Sequence, residues 1–305
     1  MRATSAPRRA RRTVIALGVA AACGLSAVVG PAAAATTRTY HEYVSLGDSW
    51  TADVVLLSAH GVPSTEFAPF DCAQAPYNYP RQVARVLGIS NFRDASCGSA
   101  TSEHFAAPQT GLPLGGTNPP QFDRLTKTTD LVTVGIGGND IGLATAILPC
   151  VTLLPFSVCR PAPGAVDPID AAIAVQEPLI VDRIKAIKPR VAANARIVMV
   201  NYIAGVPQAG CWPYVPISNY DMPWIYAKFT ALNAMVKRIA TKAGVGLIDA
   251  YTPTIGHDVC KSPFVRYVEP LIPLSVNDLA VGIPFHPNSA GADAQAQIVI
   301  SGLLR

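Results

Sequence analysis

The amino-acid sequence predicts a single-domain three-layer α/β/α sandwich with a central parallel sheet, on the strength of three observations. Five short apolar runs bounded by turn residues have the pattern of strands buried on both faces. Longer segments with apolar residues at helical spacing lie between them. Strand and helix alternate without an internal repeat or a dividing linker, which is typical of one doubly wound domain.

Residues 1–35 have the three-part pattern of a secretory signal peptide. A head with five arginines precedes an uncharged, largely apolar run from Thr13 to Val29, and an alanine run ends at Ala35. We therefore expect cleavage near Ala35, a mature domain over residues 36–305 and a secreted, extracellular protein. An uncleaved membrane anchor is the alternative, because about 17 residues is the lower edge of a spanning length.

The charge balance of the predicted mature chain gives no support for a strongly basic surface. The whole chain has 24 Lys and Arg against 20 Asp and Glu, and five of the arginines lie in the predicted leader. Without them, 19 basic residues face 20 acidic ones, so the excess of positive charge belongs to the precursor. We therefore expect no nucleic-acid partner.

The strands and helices alternate from the start of the mature chain. The predicted strands are residues 40–46, 91–95, 130–136, 195–202 and 245–249. The predicted helices are residues 80–87, 171–187, 223–243 and 288–304. The third has the clearest helical spacing and is followed by Gly244, whereas Asn288 and Ser289 can cap the last helix.

Six cysteines remain once Cys23 is assigned to the leader, namely Cys72, Cys97, Cys150, Cys159, Cys211 and Cys260. An even number in an exported chain indicates disulfides. Six cysteines allow fifteen pairings, and their spacing alone does not choose among them. A zinc site is the competing interpretation, but no pair has the close CxxC spacing of a structural site, so we expect no metal.

Polar residues follow the predicted strands at the sheet edge where ligands gather in open α/β folds. The first strand ends in Gly47-Asp48-Ser49, and the second leads into Cys97-Gly98-Ser99. The third ends in Gly137-Gly138-Asn139-Asp140, and Phe285-His286-Pro287 lies just before the last helix. A hydroxyl, a backbone N–H, an amide and an imidazole would thus converge on one rim.

These four groups are the ones that acyl transfer from an ester requires. A serine hydroxyl is a weak nucleophile until a base removes its proton, and imidazole titrates near working pH. The pattern therefore predicts Ser49 as nucleophile and His286 as general base. The N–H groups of Ser49 and Gly98, together with the side-chain amide of Asn139, would bind the oxyanion of the tetrahedral intermediate. No cofactor is needed.

The same blocks resemble those of the SGNH (GDSL-type) hydrolase family. The Ser, Gly, Asn and His of its four sequence blocks are matched by Ser49, Gly98, Asn139 and His286, and the resemblance spans nearly all of the mature chain. It implies a flavodoxin-like fold and is closest to the secreted lipases and esterases of Streptomyces type. Their six cysteines pair in sequence order, which implies the bridges Cys72–Cys97, Cys150–Cys159 and Cys211–Cys260.

One position departs from the pattern of many family members, which have an aspartate three residues before the histidine. That position is Ile283 here. In the Streptomyces-type enzymes a main-chain carbonyl takes the aspartate's place, which implies a Ser49–His286 dyad with the Ile283 carbonyl orienting the ring. Asp249 and Asp278 remain alternative third members of a triad.

His257 is the main rival for the general base. It is adjacent to Asp258 in a predicted loop, and a neighbouring carboxylate resembles a triad partner. However, adjacent side chains rarely point at each other, and no helix start follows His257. We therefore expect a surface or rim residue there.

The combined interpretation is a secreted serine lipase or carboxylesterase that forms an acyl-enzyme intermediate. The resemblance implies esters of fatty acids, and we expect a monomer whose partners are a small-molecule or lipid ester and, transiently, lipid surfaces. Apolar side chains in the loop over residues 252–284 would line an acyl groove or pack onto the core. Two other functions fit the same pattern: deacetylation of sugars or polysaccharides, and non-catalytic binding by a secreted protein of this fold.

Overall fold

The strands and helices lie close to the positions that the sequence predicts. The computed structural model describes residues 38–154, 156, 158–275 and 279–305. Its strands are β1 (Glu42–Gly47), β2 (Val55–Leu57), β3 (Asn91–Asp94), β4 (Leu131–Gly135), β5 (Arg196–Val200), β6 (Gly246–Ile248) and β7 (Val281–Gly282). Its α-helices are α1 (Ser49–Ala52), α2 (Tyr79–Val86), α3 (Leu143–Ile147), α4 (Pro168–Lys185), α5 (Met222–Ala243) and α6 (Ser289–Leu303). The predicted leader, residues 1–35, lies outside the described residues.

Five of the strands form one parallel sheet in the order β3-β1-β4-β5-β6. In register, Tyr43 of β1 pairs with Phe92 of β3 on one side and with Leu131 of β4 on the other. Every residue of β1 and β4 is buried, as expected for central strands of a sheet covered on both faces. The predicted α/β sandwich with a central parallel sheet is thereby confirmed.

The helices cover both faces of this sheet, and the strand residues alternate between two cores. On one face, Leu46 shares a core with Ile180 of α4 and Leu232 of α5. On the other face, Tyr43 shares a core with Val83 of α2 and residues of α6. None of the helices in the described part of the chain is long and apolar enough to cross a membrane.

The first helix lies directly against the carboxyl end of the sheet. A Cβ atom on Gly47 would lie 2.2 Å from Thr51 Oγ1 and 2.7 Å from the carbonyl oxygen of Gly135. Only glycine allows this close approach. Because Thr51 Oγ1 also donates to the Gly135 carbonyl at 3.1 Å, the turn from β1 into α1 is held against both central strands.

A second, two-stranded sheet pairs β2 with β7 in antiparallel orientation, and the sequence analysis did not predict it. Val55 pairs with Gly282, and Leu57 pairs with Val281. The pairing joins the segment that follows α1 to the segment that leads into His286. Two regions far apart in the sequence are therefore held side by side at the edge where the polar residues gather.

Three disulfides connect the loops, in the pairing that the family resemblance implies. They are Cys72–Cys97, Cys150–Cys159 and Cys211–Cys260. The first joins the segment before α2 to the loop that follows β3. The third joins the segments that follow β5 and β6, so both brace the carboxyl edge of the sheet.

Candidate active site

The loops that follow β1, β3 and β4 meet at the carboxyl edge of the sheet, as predicted. Ser49 is the first residue of α1, immediately after the capping residue Asp48. Asn139 follows β4, and its Nδ2 donates to the carbonyl oxygen of Ala100 at 2.9 Å. That bond connects the loop after β4 to the loop after β3, so two of the predicted groups are fixed relative to each other.

The structure brings Ser49 and His286 into direct contact. Ser49 Oγ lies 2.8 Å from Nε2 of His286, which is within hydrogen-bond distance for a hydroxyl and an imidazole. The Ser49 residue is buried, and the imidazole packs beside Trp50 with ring centroids 5.9 Å apart. The pairing of β2 with β7 brings the segment that carries His286 back to the turn that carries Ser49.

The other ring nitrogen contacts a carbonyl one residue later than predicted. His286 Nδ1 lies 2.9 Å from the carbonyl oxygen of Pro284. The expectation for Ile283 is wrong, because the Ile283 carbonyl accepts the backbone N–H of His286 at 3.3 Å and closes a turn. Phe285 has a φ of 60° in this turn, which directs the Pro284 carbonyl towards the ring.

The environment of His286 keeps its imidazole neutral. Burial lowers the pKa of His286 from 6.5 to about 4, while the hydrogen bond with the Pro284 carbonyl acts in the opposite direction. A neutral imidazole with Nδ1–H donated to a carbonyl presents an unprotonated Nε2. Nε2 is the atom that faces Ser49, so it can accept the hydroxyl proton.

The alternative residues have other partners. Asp249 accepts hydrogen bonds from Asn201 and from residues of the turn after β6. Nδ1 of His257 lies 2.6 Å from the carbonyl oxygen of Val265, and its ring stacks on Tyr267 with centroids 3.9 Å apart. Asp278 lies outside the described residues.

In the loop after β3, the predicted backbone donor is already used within the protein. The N–H of Gly98 donates to the carbonyl oxygen of Cys72 at 3.0 Å, so the expectation that it binds an oxyanion is wrong. The next residue, Ser99, is in the left-handed conformation with a φ of 62°. Within the described residues, the N–H groups of Ser99 and Ser49 have no hydrogen-bond partner.

A buried carboxylate anchors the loop that carries Asn139. Asp140 accepts the backbone N–H of Ser102 at 3.0 and 3.1 Å, and it also accepts the Ser102 hydroxyl. Arg183 of α4 donates to that hydroxyl at 2.7 Å. Burial raises the pKa of Asp140, and its hydrogen bonds with Ser102 oppose the shift.

The residue before the nucleophile has a polar environment that sequence reasoning did not identify. Asp48 caps α1 by accepting the Trp50 N–H at 2.9 Å, and it also accepts the hydroxyl of Tyr202 at 2.5 Å. Burial raises the pKa of Asp48 to about 7, against the effect of these hydrogen bonds. Tyr202 lies just after β5 at the same sheet edge, and this position was the signal that could have identified it.

The site therefore combines a serine hydroxyl in contact with a neutral imidazole and several polar donors. Within the residues described, no group of three or more His, Cys, Asp or Glu side chains is placed to hold a metal ion. A cavity of about 1290 Å³ lies elsewhere, lined by residues of β5, β6 and α6. Asp249 lines it, but Ser49, Gly98, Asn139 and His286 do not.

Comparison with known proteins points to one family. The sequence profile of the GDSL-like Lipase/Acylhydrolase family matches residues 45–294. Lipase 2 of Streptomyces coelicolor is 31% identical over 304 residues, which cover 95% of this chain and 97% of that protein. An esterase of Streptomyces scabiei is 26% identical over 340 residues, which cover 97% of this chain and 95% of that protein.

A solved structure shows the same fold. The crystal structure of the extracellular lipase from Streptomyces rimosus superposes with a TM-score of 0.60 at 21% identity. The match covers 87% of this chain and all of that one.

Proposed function

Because this chain belongs to the GDSL-like lipase/acylhydrolase family and is therefore an ester hydrolase, we propose that it is a secreted lipase or carboxylesterase with a Ser49–His286 dyad. The observation that carries the proposal is the 2.8 Å contact between Ser49 Oγ and His286 Nε2. A serine is activated when a base lies within hydrogen-bond reach of its hydroxyl and a third group orients that base.

In the proposed first step, Ser49 Oγ attacks the ester carbonyl carbon while its proton passes to Nε2 of His286. The resulting tetrahedral intermediate collapses, the bond to the alkoxy oxygen breaks, and His286 returns the proton to the leaving alcohol. Water then attacks the acyl-enzyme with His286 as base, which releases the carboxylic acid and restores the Ser49 hydroxyl. This sequence needs only the ester and water.

The carbonyl of Pro284 is proposed to orient the imidazole. A carbonyl can accept the Nδ1–H and thereby fix the tautomer and the ring angle, as the aspartate does in a triad. It carries no full negative charge, so it stabilises the imidazolium less than a carboxylate would. The contact of 2.9 Å between Nδ1 and the Pro284 oxygen supports this role.

Three donors are proposed for the oxyanion: the N–H groups of Ser49 and Ser99 and the side-chain amide of Asn139. Both backbone groups lack a partner within the described residues. The Asn139 amide uses one N–H for the Ala100 carbonyl and keeps a second for substrate. Loss of one such donor typically slows an enzyme by about 100- to 1,000-fold.

The proposed substrates are fatty-acid esters outside the cell. The relatives are named lipase or esterase, and the solved relative is described as an extracellular lipase. The signal-like composition of residues 1–35 supports export of this chain as well. A chain-length series of p-nitrophenyl esters tests the substrate class, because a sharp optimum at acetate would indicate a sugar O-acetyl esterase instead.

The mechanism is tested with wild type, Ser49→Ala and His286→Ala on that ester series. We expect both variants to lose several orders of magnitude in kcat, because nucleophile and base act as a unit. A fluorophosphonate probe should label the wild type covalently and leave Ser49→Ala unlabelled. A wild-type protein that resists the probe and cleaves none of the esters would overturn the proposal.

A further inference from the structure

We infer that Tyr202 is a positioning residue that holds Asn139 in register with Ser49, an inference that rests on the proposed function. The Tyr202 hydroxyl donates to Asp48 Oδ2 at 2.5 Å and accepts the N–H of Gly138 at 2.8 Å. One hydroxyl therefore bridges the residue before the nucleophile and the residue before the oxyanion amide.

The position of this hydroxyl is set by the body of the fold rather than by either loop. Tyr202 follows β5, and its backbone N–H donates to Asn233 Oδ1 on α5 at 2.9 Å. Its ring is 4% exposed and packs edge-on against Trp50, with centroids 5.5 Å apart. The ring also packs against Phe229 of α5, with centroids 6.2 Å apart. The turn that carries Ser49 and the loop that carries Asn139 are thus both hydrogen-bonded to the Tyr202 hydroxyl, through Asp48 and Gly138.

The charges around the hydroxyl favour this role. Burial, followed by the Asp48 carboxylate, raises the pKa of Tyr202, so the hydroxyl keeps the proton that it donates. Asp140 is the other acidic group that acts on both Tyr202 and Asp48. A hydrogen bond from a buried hydroxyl to a carboxylate is among the stronger ones in proteins.

The bridge leaves little room for a side chain at Gly138. A Cβ atom there would lie 3.2 Å from the Tyr202 hydroxyl oxygen and 3.5 Å from the ring carbon that bears it. Glycine therefore permits the direct contact between the loop backbone and the hydroxyl. Substitution at this position offers a second way to disturb the bridge while the hydroxyl itself is kept.

Removal of the hydroxyl should affect turnover rather than substrate binding. Tyr202→Phe leaves the Gly138 N–H and the Asp48 carboxylate without their partner, so the two loops can shift relative to each other. A displacement of about 1 Å in an active site can cost about 100-fold in rate. The oxyanion forms only after Ser49 attacks the ester. Tyr202→Phe should therefore lower kcat and leave KM nearly unchanged.

The first experiment compares Tyr202→Phe with Tyr43→Phe as a matched control. Tyr43 is also fully buried, and its hydroxyl bonds to Thr133 Oγ1 at 2.7 Å. We expect kcat to fall about 10- to 100-fold for Tyr202→Phe, with KM within about threefold, and to stay within about twofold for Tyr43→Phe. Thermal unfolding of both variants separates loss of turnover from loss of folded protein. If Tyr202→Phe does not fold, Gly138→Ala should give the same kinetic pattern.

The second experiment repeats Tyr202→Phe in an Asn139→Ala background. If Tyr202 acts by positioning the Asn139 amide, it has no amide to position in this background. Tyr202→Phe should then lower kcat by less than about threefold. If the kcat losses of Tyr202→Phe and Asn139→Ala simply multiply in the double variant, the inference is overturned. It is also overturned if the wild type is active and Tyr202→Phe leaves kcat unchanged. A wild type that hydrolyses no ester would overturn the proposed function itself, together with this inference.

Discussion

Burial and a single carbonyl together set the charge state of His286. Burial lowers its pKa to about 4, and the Pro284 carbonyl offsets only part of that shift. The imidazole is therefore neutral throughout the neutral pH range. In the proposed mechanism, the base is ready without prior loss of a proton.

The pH dependence of kcat/KM tests this charge state. The neutral imidazole is the active form, so the ionisation of His286 should remove activity as the pH falls through about 4. With respect to His286 alone, the enzyme should keep at pH 5.5 most of the kcat/KM that it has at pH 7.5. An unperturbed imidazole with a pKa of about 6.5 would keep only about a tenth. Initial rates on a soluble ester between pH 4 and pH 9 provide the measurement.

Asp48→Asn is the control for that profile. The pKa of Asp48 is about 7, so its titration could add an inflection near neutrality. The variant removes that inflection and should keep the acid limb where it is. An acid limb centred near 6.5 in both proteins would contradict the assignment to a His286 with a lowered pKa.

Residue types identified Ser49, Asn139 and His286 as site candidates, but they did not identify which backbone atoms serve the site. The carbonyl beside the ring belongs to Pro284 and not to Ile283. The N–H that lacks a partner within the described residues belongs to Ser99 and not to Gly98. Each difference from the prediction lies beside a residue in the left-handed conformation. These residues are Ser99, with a φ of 62°, and Phe285, with a φ of 60°. Neither serine nor phenylalanine favours that conformation, so nothing in the sequence indicated the shift.

At the scale of elements, a buried ion pair braces the segment between β7 and α6. Arg266 and Glu269 are 3% and 2% exposed, and Arg266 donates to Glu269 at 2.5 Å. The backbone N–H of Glu269 donates to the His286 carbonyl at 3.0 Å. Asn288, which caps α6, donates to Glu269 Oε1 at 2.8 Å. The pair thus supports the backbone that carries the proposed base.

Glu269→Gln should destabilise the protein strongly, because it leaves the Arg266 charge buried without a counter-charge. Breaking a buried pair by removing one partner costs about 3–5 kcal/mol. Denaturant unfolding measures the free energy of unfolding, and kcat should fall as well because His286 loses its support.

Asp182→Asn is the matched control for the ion pair. Asp182 and Lys185 form an exposed pair at 3.8 Å, and such pairs contribute at most about 1 kcal/mol. Equal losses of stability in the two variants would contradict the role assigned to the buried pair.

The larger elements were predictable from sequence, and the shortest were not. The five strands of the main sheet and α2, α4, α5 and α6 follow from apolar periodicity and capping residues. β2 and β7 have three and two residues and were not predicted, whereas β6, also of three residues, lies within a longer predicted run. The pairing of β2 with β7 is also distant in sequence, so only the folded chain reveals how the histidine segment returns to Ser49.

At the scale of the whole molecule, the disulfides close loops of very different size. The sequence separations are 25 residues for Cys72–Cys97, 9 for Cys150–Cys159 and 49 for Cys211–Cys260. A bridge stabilises the folded state mainly by restricting the unfolded chain, and the effect grows with loop length. The bridge with the widest separation should therefore contribute most.

Paired Cys→Ala substitutions test this order. Loss of Cys211–Cys260 should cost about 4 kcal/mol, and loss of Cys150–Cys159 about 3 kcal/mol, from the loop-entropy relation. Urea unfolding of each double variant against wild type provides the comparison. A larger loss for the shorter loop would show that local packing, and not chain restriction, determines the contribution of these bridges.

The contact between Ser49 and His286 spans 237 positions of the chain. A polypeptide emerging from the ribosome has the serine long before it has the histidine, and the two meet only when the last quarter of the chain has docked. Ester hydrolysis through the proposed dyad should therefore be absent from chains that have not yet folded this last segment. Turnover then reports that folding is complete.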